Sequence, residues 1–270
     1  MATPATWRLI LEPQPRPGSL NLAVDEAILR TVAEGKAPPT LRLYGWAPSA
    51  LTLGRGQPYA DADPAALARA GFDLLRRMTG GTAVLNREEL TYAVAVRRDD
   101  PHLPDAIAES YRPISDGLLA ALQRLDVHGV SAGTGESVGA RRRSPVCFEV
   151  PSAYEITVAG RKLVGSSQMR IRGGILQHGS LPLTGDIGDI GRYLTARPSA
   201  ERIRSHALTL RDALGRVAGW SEVAEAVVAG LRERLNLVLQ PGSLSPLERE
   251  RIGVLMVEKY SAEEWTRRIA

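Results

Sequence analysis

A single cysteine, Cys147, stands in a chain of 270 residues. One thiol closes no intramolecular disulfide, and its isolation suits a reducing compartment. Lysine is nearly as scarce: among 34 basic residues only Lys36, Lys162 and Lys259 are lysines, and all others are arginine. A lysine here is therefore an exception worth a chemical reason, since its compact ammonium has a movable pKa and guanidinium stays protonated. No apolar run approaches the roughly 18 residues of a membrane span. Met1 to Pro17 lacks the basic, apolar and small-residue zones of a secretory signal, so a cytoplasmic location is expected. There is no Gly-x-Ser-x-Gly elbow, Walker loop or zinc-protease helix, which removes the common hydrolase and nucleotide classes. His102, His128 and His206 have no metal-ligand spacing with one another or with Cys147, so no metal site is expected.

What is present describes a globular chain, with 44% hydrophobic and 24% charged residues. Its length allows one large domain or two small ones. The formal charge of +4 and pI near 9.4 suit an acidic partner. The arginines are scattered, however, and the one triplet, Arg141 to Arg143, is too short for a nucleic-acid arm.

Leu20, Val24, Ala27 and Ile28 share one helical face, so an opening amphipathic helix is predicted, with Gly18-Ser19 as its cap. Leu41 to Trp46 and Ala50 to Gly54 alternate like strands around Pro48-Ser49 and predict a hairpin. A short helix is expected over Pro64 to Ala70, then strands at Asp73 to Arg77, Ala83 to Leu85 and Leu90 to Val96, and a helix over Pro113 to Leu125. Gly129 to Arg143 reads as a polar loop. Tyr154 to Leu183 reads as a meander with tight turns at Ala159-Gly160 and Gly173-Gly174. Beyond it Arg211 to Leu235 and Leu247 to Arg268 are helical, separated by Gln240-Pro241-Gly242. Without repeats or a Ser/Gly linker, the pattern favours a single α+β domain on a mainly antiparallel or mixed sheet, flanked by helices and ending in a helical segment. Its catalytic core is expected at about 36–247, and the C-terminal helical segment at 248–270.

Three places carry chemistry. Arg76-Arg77-Met78-Thr79-Gly80-Gly81-Thr82 offers two cations, a hydroxyl and uncovered backbone amides to a ligand, although a plain hairpin turn would read the same. Cys147 lies between Pro145 and Pro151, which keep it out of helix and ladder; a lone cysteine is otherwise often a small buried hydrophobe. A neighbouring ammonium would favour its thiolate, and Lys162 is the candidate. A two-residue turn at Ala159-Gly160 pairs Lys162 with Thr157, leaving Cys147 ten residues on, roughly 33 Å if extended. Joining the two requires a chain reversal, for which Pro151 is a plausible place. His178 is expected at the end of the third strand of the meander, as a polar wall, a base or a structural histidine.

These residues together match a known pattern. Leu53-Gly54-Arg55-Gly56-Gln57, Arg76 to Leu85, Glu89-Leu90-Thr91-Tyr92, Cys147-Phe148, Gly160-Arg161-Lys162 with Gly165-Ser166-Ser167-Gln168, and Gln177-His178-Gly179-Ser180 run almost end to end. The chain resembles the lipoate/biotin protein ligase superfamily and, within it, the octanoyltransferases of the LipM type. The resemblance implies that fold, with Cys147 carrying an octanoyl thioester and Lys162 lowering its pKa. It implies substrate contacts from Arg76, Arg77, Thr79, Gly80, Gly81, Asn86, Gly165, Ser166 and His178. Octanoyl-acyl carrier protein would be the donor and a lipoyl domain, typically the glycine-cleavage H protein, the acceptor, without ATP or another cofactor and with no nucleic-acid or membrane partner; a monomer is expected. Family members often have histidine where this chain has Asn86, which hydrogen-bonds but does not titrate. The alternatives are an amidotransferase between H protein and other lipoyl domains, an ATP-dependent lipoate ligase, and a non-catalytic binder.

Overall fold

The computed structural model describes residues 4–133 and 155–270. Cys147, Pro151 and the part of the expected polar loop after Gly133 lie outside the described residues. The main sheet contains eight described strands: β1 (Ala5–Arg16), β2 (Thr40–Trp46), β6 (Glu89–Arg97), β7 (Val130–Ala132), β8 (Ile156–Val158), β9 (Arg161–Ile171), β10 (Gly174–Pro182) and β11 (Leu237–Pro241). Their spatial order is β11-β1-β2-β6-β10-β9-β8-β7. β1 runs parallel to both neighbours, and the other pairs are antiparallel. A second sheet of three strands sets β3 (Ala50–Leu53) between β4 (Asp73–Arg76) and β5 (Val84–Asn86).

One face of the main sheet is covered by α3 (Ile107–Arg124) and α6 (Trp220–Arg234), with Trp7, Leu43, Tyr92 and Leu118 in the core between. The other face takes α1 (Gly18–Ala33) and α7 (Pro246–Leu255), over Val24, Leu29, Tyr44 and Ile252. The small sheet packs with α2 (Pro64–Ala70), the 3₁₀ segment Ile187–Tyr193 and α4 (Ala200–His206) around Leu51, Leu67 and Ile203. α5 (Leu210–Leu214) and α8 (Glu263–Arg267) complete the described α-helices. The result is an α+β arrangement of mixed strands flanked by helices. No described helix is long and apolar enough to cross a membrane.

The strands β8 to β10 form the predicted meander, including the pairing of Lys162 with Thr157 across Ala159-Gly160, but its second turn is at Arg172-Gly173, since Gly174 already opens β10. Other expectations are corrected. The opening helix begins at Gly18, and Pro17 holds the cap position without a side-chain hydrogen bond. β2 and β3 form no hairpin: both edges of β2 are taken, by β1 and β6, and β3 pairs in the other sheet. Nor is Thr79 to Thr82 a hairpin turn, because β4 and β5 sit on opposite sides of β3. The helix expected over Arg211 to Leu235 is two helices, separated at Gly215 and Gly219. His178 falls within β10 rather than at its end. β1 and β11 escape periodicity reasoning. Trp7, Arg8, Leu9 and Ile10 are all buried, so the polar alternation of a half-exposed strand is absent there.

Candidate active site

A small cavity of about 40 Å³ lies between the two sheets. The main sheet contributes Tyr44 and Trp46 from β2, Thr91 from β6, Gly165 to Ser167 from β9 and His178 to Ser180 from β10. These meet because Ser180 pairs with both Thr91 and Gly165, and Thr91 with Tyr44, in one row across four strands. The small sheet closes the cavity with Thr52, Arg77, Val84 and Asn86, and α1 adds Leu22.

Of the expected substrate contacts, Arg77, Asn86, Gly165, Ser166 and His178 line this cavity. Thr79 reaches it through hydrogen bonds to His178 Nε2 at 2.8 Å and from Ser167 Oγ at 2.9 Å. Arg76 does not. Its Nη1 donates to the carbonyls of Gly54 and Gln57 at 2.7 and 2.5 Å, and its Nε to Thr266 O at 2.9 Å, so it ties α8 to the small sheet. Arg77, the first residue past the end of β4, lines the cavity instead. Arg77 donates to the carbonyls of Thr52, Gly80 and Thr82 and thereby fixes the 79–82 loop.

That loop passes directly over Gly54. A Cβ on Gly54 would stand 1.9 Å from Gly81 O, and Gly81 itself has φ +88°, where other residues are strained. Gly54→Ala is therefore expected to displace the loop and cost about 1–3 kcal/mol, as overpacking does. Denaturant unfolding checks it; wild-type stability with an unchanged cavity would refute the contact.

Behind the cavity lies a buried polar chain. His178 Nδ1 is 3.2 Å from Asp25 Oδ2, which also accepts from Tyr44 OH at 2.8 Å. Arg42, fully buried, donates to Asp25, Glu12 and Asn21, each at 2.7 Å. Burial alone would raise the Asp25 pKa, but the His178 hydrogen bond and the Arg42 charge outweigh it and hold the carboxyl below its usual value. The His178 ring thus bridges the Asp25 carboxylate on its Nδ1 side and Thr79 Oγ1 on its Nε2 side.

Glu89 is a second buried carboxyl. Ser180 Oγ donates to it at 2.6 Å, Asn86 Nδ2 at 3.1 Å, and Thr91 Oγ1 through a short contact. Burial pushes its pKa up, against the pull of these donors. Neither Asp25 nor Glu89 is assigned a role by sequence reasoning. The available signals are an acid on the apolar face of a helix and the alternation of Glu89 with Thr91 before an apolar strand.

Lys162 is 1% exposed, and its Nζ donates to Glu155 Oε1 at 2.5 Å. It lies three residues before Gly165 on β9, beside the strand segment that lines the cavity.

The fold is that of lipoate-protein ligases. A lipoate-protein ligase A bound with ATP superposes with a TM-score of 0.82 at 24% identity, covering 98% of this chain and 100% of that one. Protein Ta0514 of T. acidophilum, with bound lipoic acid, gives 0.80 at 23% identity, covering 98% and 100%. A family model for the lipoyl protein ligase A/B catalytic domain matches residues 17–232. Octanoyltransferase LipM of Kyrpidia tusciae is 41% identical, over 97% of this chain and 99% of its own length. That of Symbiobacterium thermophilum is 39% identical, over 97% and 98%. The chain belongs to the lipoyl protein ligase A/B catalytic-domain family.

Proposed function

We propose that this protein is an octanoyltransferase of lipoate biosynthesis, in which Cys147 takes octanoyl from octanoyl-acyl carrier protein and passes it to a lipoyl-domain lysine. The glycine-cleavage H protein is the expected acceptor. The observation that carries this reading is the similarity, along nearly the whole length of both chains, to LipM octanoyltransferases. A buried lysine close to an intersheet cavity supports it, and the basic pI of 9.4 suits an acidic carrier protein.

In the first step the Cys147 thiolate attacks the donor thioester carbonyl; the new C–S bond forms and the carrier thiolate leaves, to be protonated. In the second, the acceptor amine attacks, an amide forms, the Cys147 C–S bond breaks and the amine proton passes to solvent. Thioester exchange is nearly isoenergetic and aminolysis runs downhill, so covalent catalysis divides the transfer into two attainable steps without ATP. Backbone amides of the 79–82 loop are candidate donors to each tetrahedral oxyanion.

Intact mass spectrometry tests the reading. Octanoyl-acyl carrier protein is expected to add one octanoyl group, released by apo H protein and absent from Cys147→Ser. A wild type that stays unmodified, or an adduct that persists on the serine variant, would refute it. Product formed only with ATP and free octanoate would identify a ligase instead.

A further inference from the structure

The cavity wall presents a contradiction between its residue types and its surface. Thr52, Asn86, Thr91, Ser180 and Trp46 all carry hydrogen-bonding groups, yet the surface lining the cavity is mostly apolar. The hydrogen bonds account for it. Thr52 Oγ1 donates to Asn86 Oδ1 at 2.8 Å, and Trp46 Nε1 to Thr91 Oγ1 at 2.7 Å. Asn86, Thr91 and Ser180 in turn all donate to Glu89. Both chains of donors therefore end on one carboxyl, 4% exposed, which forms no ion pair among the described residues.

The strand register builds this arrangement. Glu89 and Thr91 are two apart on β6 and share a face, and Ser180 pairs directly with Thr91. Its two carboxyl oxygens offer about four lone-pair directions, enough for all three donors. Glutamine at the same position would bring two donors of its own and one accepting oxygen. At least one donor of the wall would then lose its acceptor.

We infer that Glu89 sets the acyl specificity of the cavity, holding the wall's donors on itself so that an unsubstituted alkyl tail is accepted and a hydroxylated one rejected. This rests on the octanoyl-transfer reading. With the acyl carbonyl on the β9 side, where Lys162 lies, the tail runs toward β6 and β2, and its terminal carbons meet the wall that Glu89 serves. A hydroxyl there loses its water and finds every nearby donor already engaged. Glu89 touches no substrate atom and acts through Asn86, Thr91 and Ser180, so it is a positioning residue.

The test compares transfer from octanoyl-acyl carrier protein and 8-hydroxyoctanoyl-acyl carrier protein by the same enzyme preparation. Wild type is expected to prefer the octanoyl donor by about 10²-fold in kcat/KM, near the limit for rejecting an added hydroxyl in an apolar site. Glu89→Gln is expected to reduce that preference about tenfold, by slowing octanoyl and speeding 8-hydroxyoctanoyl transfer. Thr91→Val, which removes the acceptor of the Trp46 indole, is expected to move the ratio the same way. A simple loss of folded protein lowers both rates together and leaves the ratio unchanged. Wild type that transfers octanoyl but shows a ratio near one overturns the assignment whatever the variants do. So does a folded Glu89→Gln, verified by circular dichroism, that keeps the full preference. Wild type that transfers no octanoyl at all overturns the functional reading instead, and this inference with it.

Discussion

Lys162→Met is expected to slow acylation of Cys147 by about 30-fold at pH 7, since an unassisted thiol is only a few per cent thiolate there. The loss should shrink as pH rises toward about 9, where the thiol ionises unaided. Wild type, with the ammonium favouring the thiolate, should already be near its plateau at neutral pH. The sign follows from removing a positive charge that favours the anion and leaving the Glu155 carboxylate, which opposes it. The same substitution removes the Lys162 ion pair from a buried carboxylate, so about 3–5 kcal/mol of stability should go as well. Stopped-flow acylation across pH separates the effects, because misfolding lowers the rate equally at pH 7 and pH 9. An unshifted pH profile would remove Lys162 from the thiolate's environment.

Arg42→Met is expected to cost about 3–5 kcal/mol, since it leaves two buried carboxylates, Glu12 and Asp25, without their shared cation. The Arg42 guanidinium also lies 3.9 Å from the Tyr44 ring centroid, a packing contact that methionine replaces only in part. Asp25 gives the loss a pH signature. Its folded pKa is depressed, so its contribution is present above the unfolded value near 3.9 and disappears as pH falls through the lower folded value. Wild type should therefore keep this contribution at pH 5. In Arg42→Met burial is less opposed, the Asp25 pKa rises, and the contribution fades at higher pH. Denaturant unfolding at pH 7 and pH 5 measures both; equal stabilities of the two proteins would show that the chain from Arg42 to His178 is energetically idle. A drop in octanoyl transfer beyond the loss of folded protein would connect the same chain to the orientation of His178.

Local periodicity determined much of this protein. The pairing of Lys162 with Thr157 follows from a two-residue turn and alternating strands, and the helix over Pro64 to Ala70 from a proline start and a glycine stop. Five of the nine expected substrate contacts line one cavity, because the motif residues fall on facing strands. β1 was hidden by burial on both sides, which erases alternation, and β11 by its shortness and its terminal proline at a sheet edge. No local pattern could assign β3 to a different sheet from β2, since partner choice depends on which strand edges are already taken. The division of labour between Arg76 and Arg77 is likewise tertiary: α8 and the Gly54 loop supply the carbonyls that claim Arg76. Asp25 and Glu89 show the same limit most clearly. An acid in a sequence is by default a solvated charge, and only the tertiary packing around α1 and β6 removes water from these two. Composition marked Cys147 and Lys162 as exceptions, and only the family resemblance implied their roles; which side chains line the intersheet cavity was decided by burial and strand register.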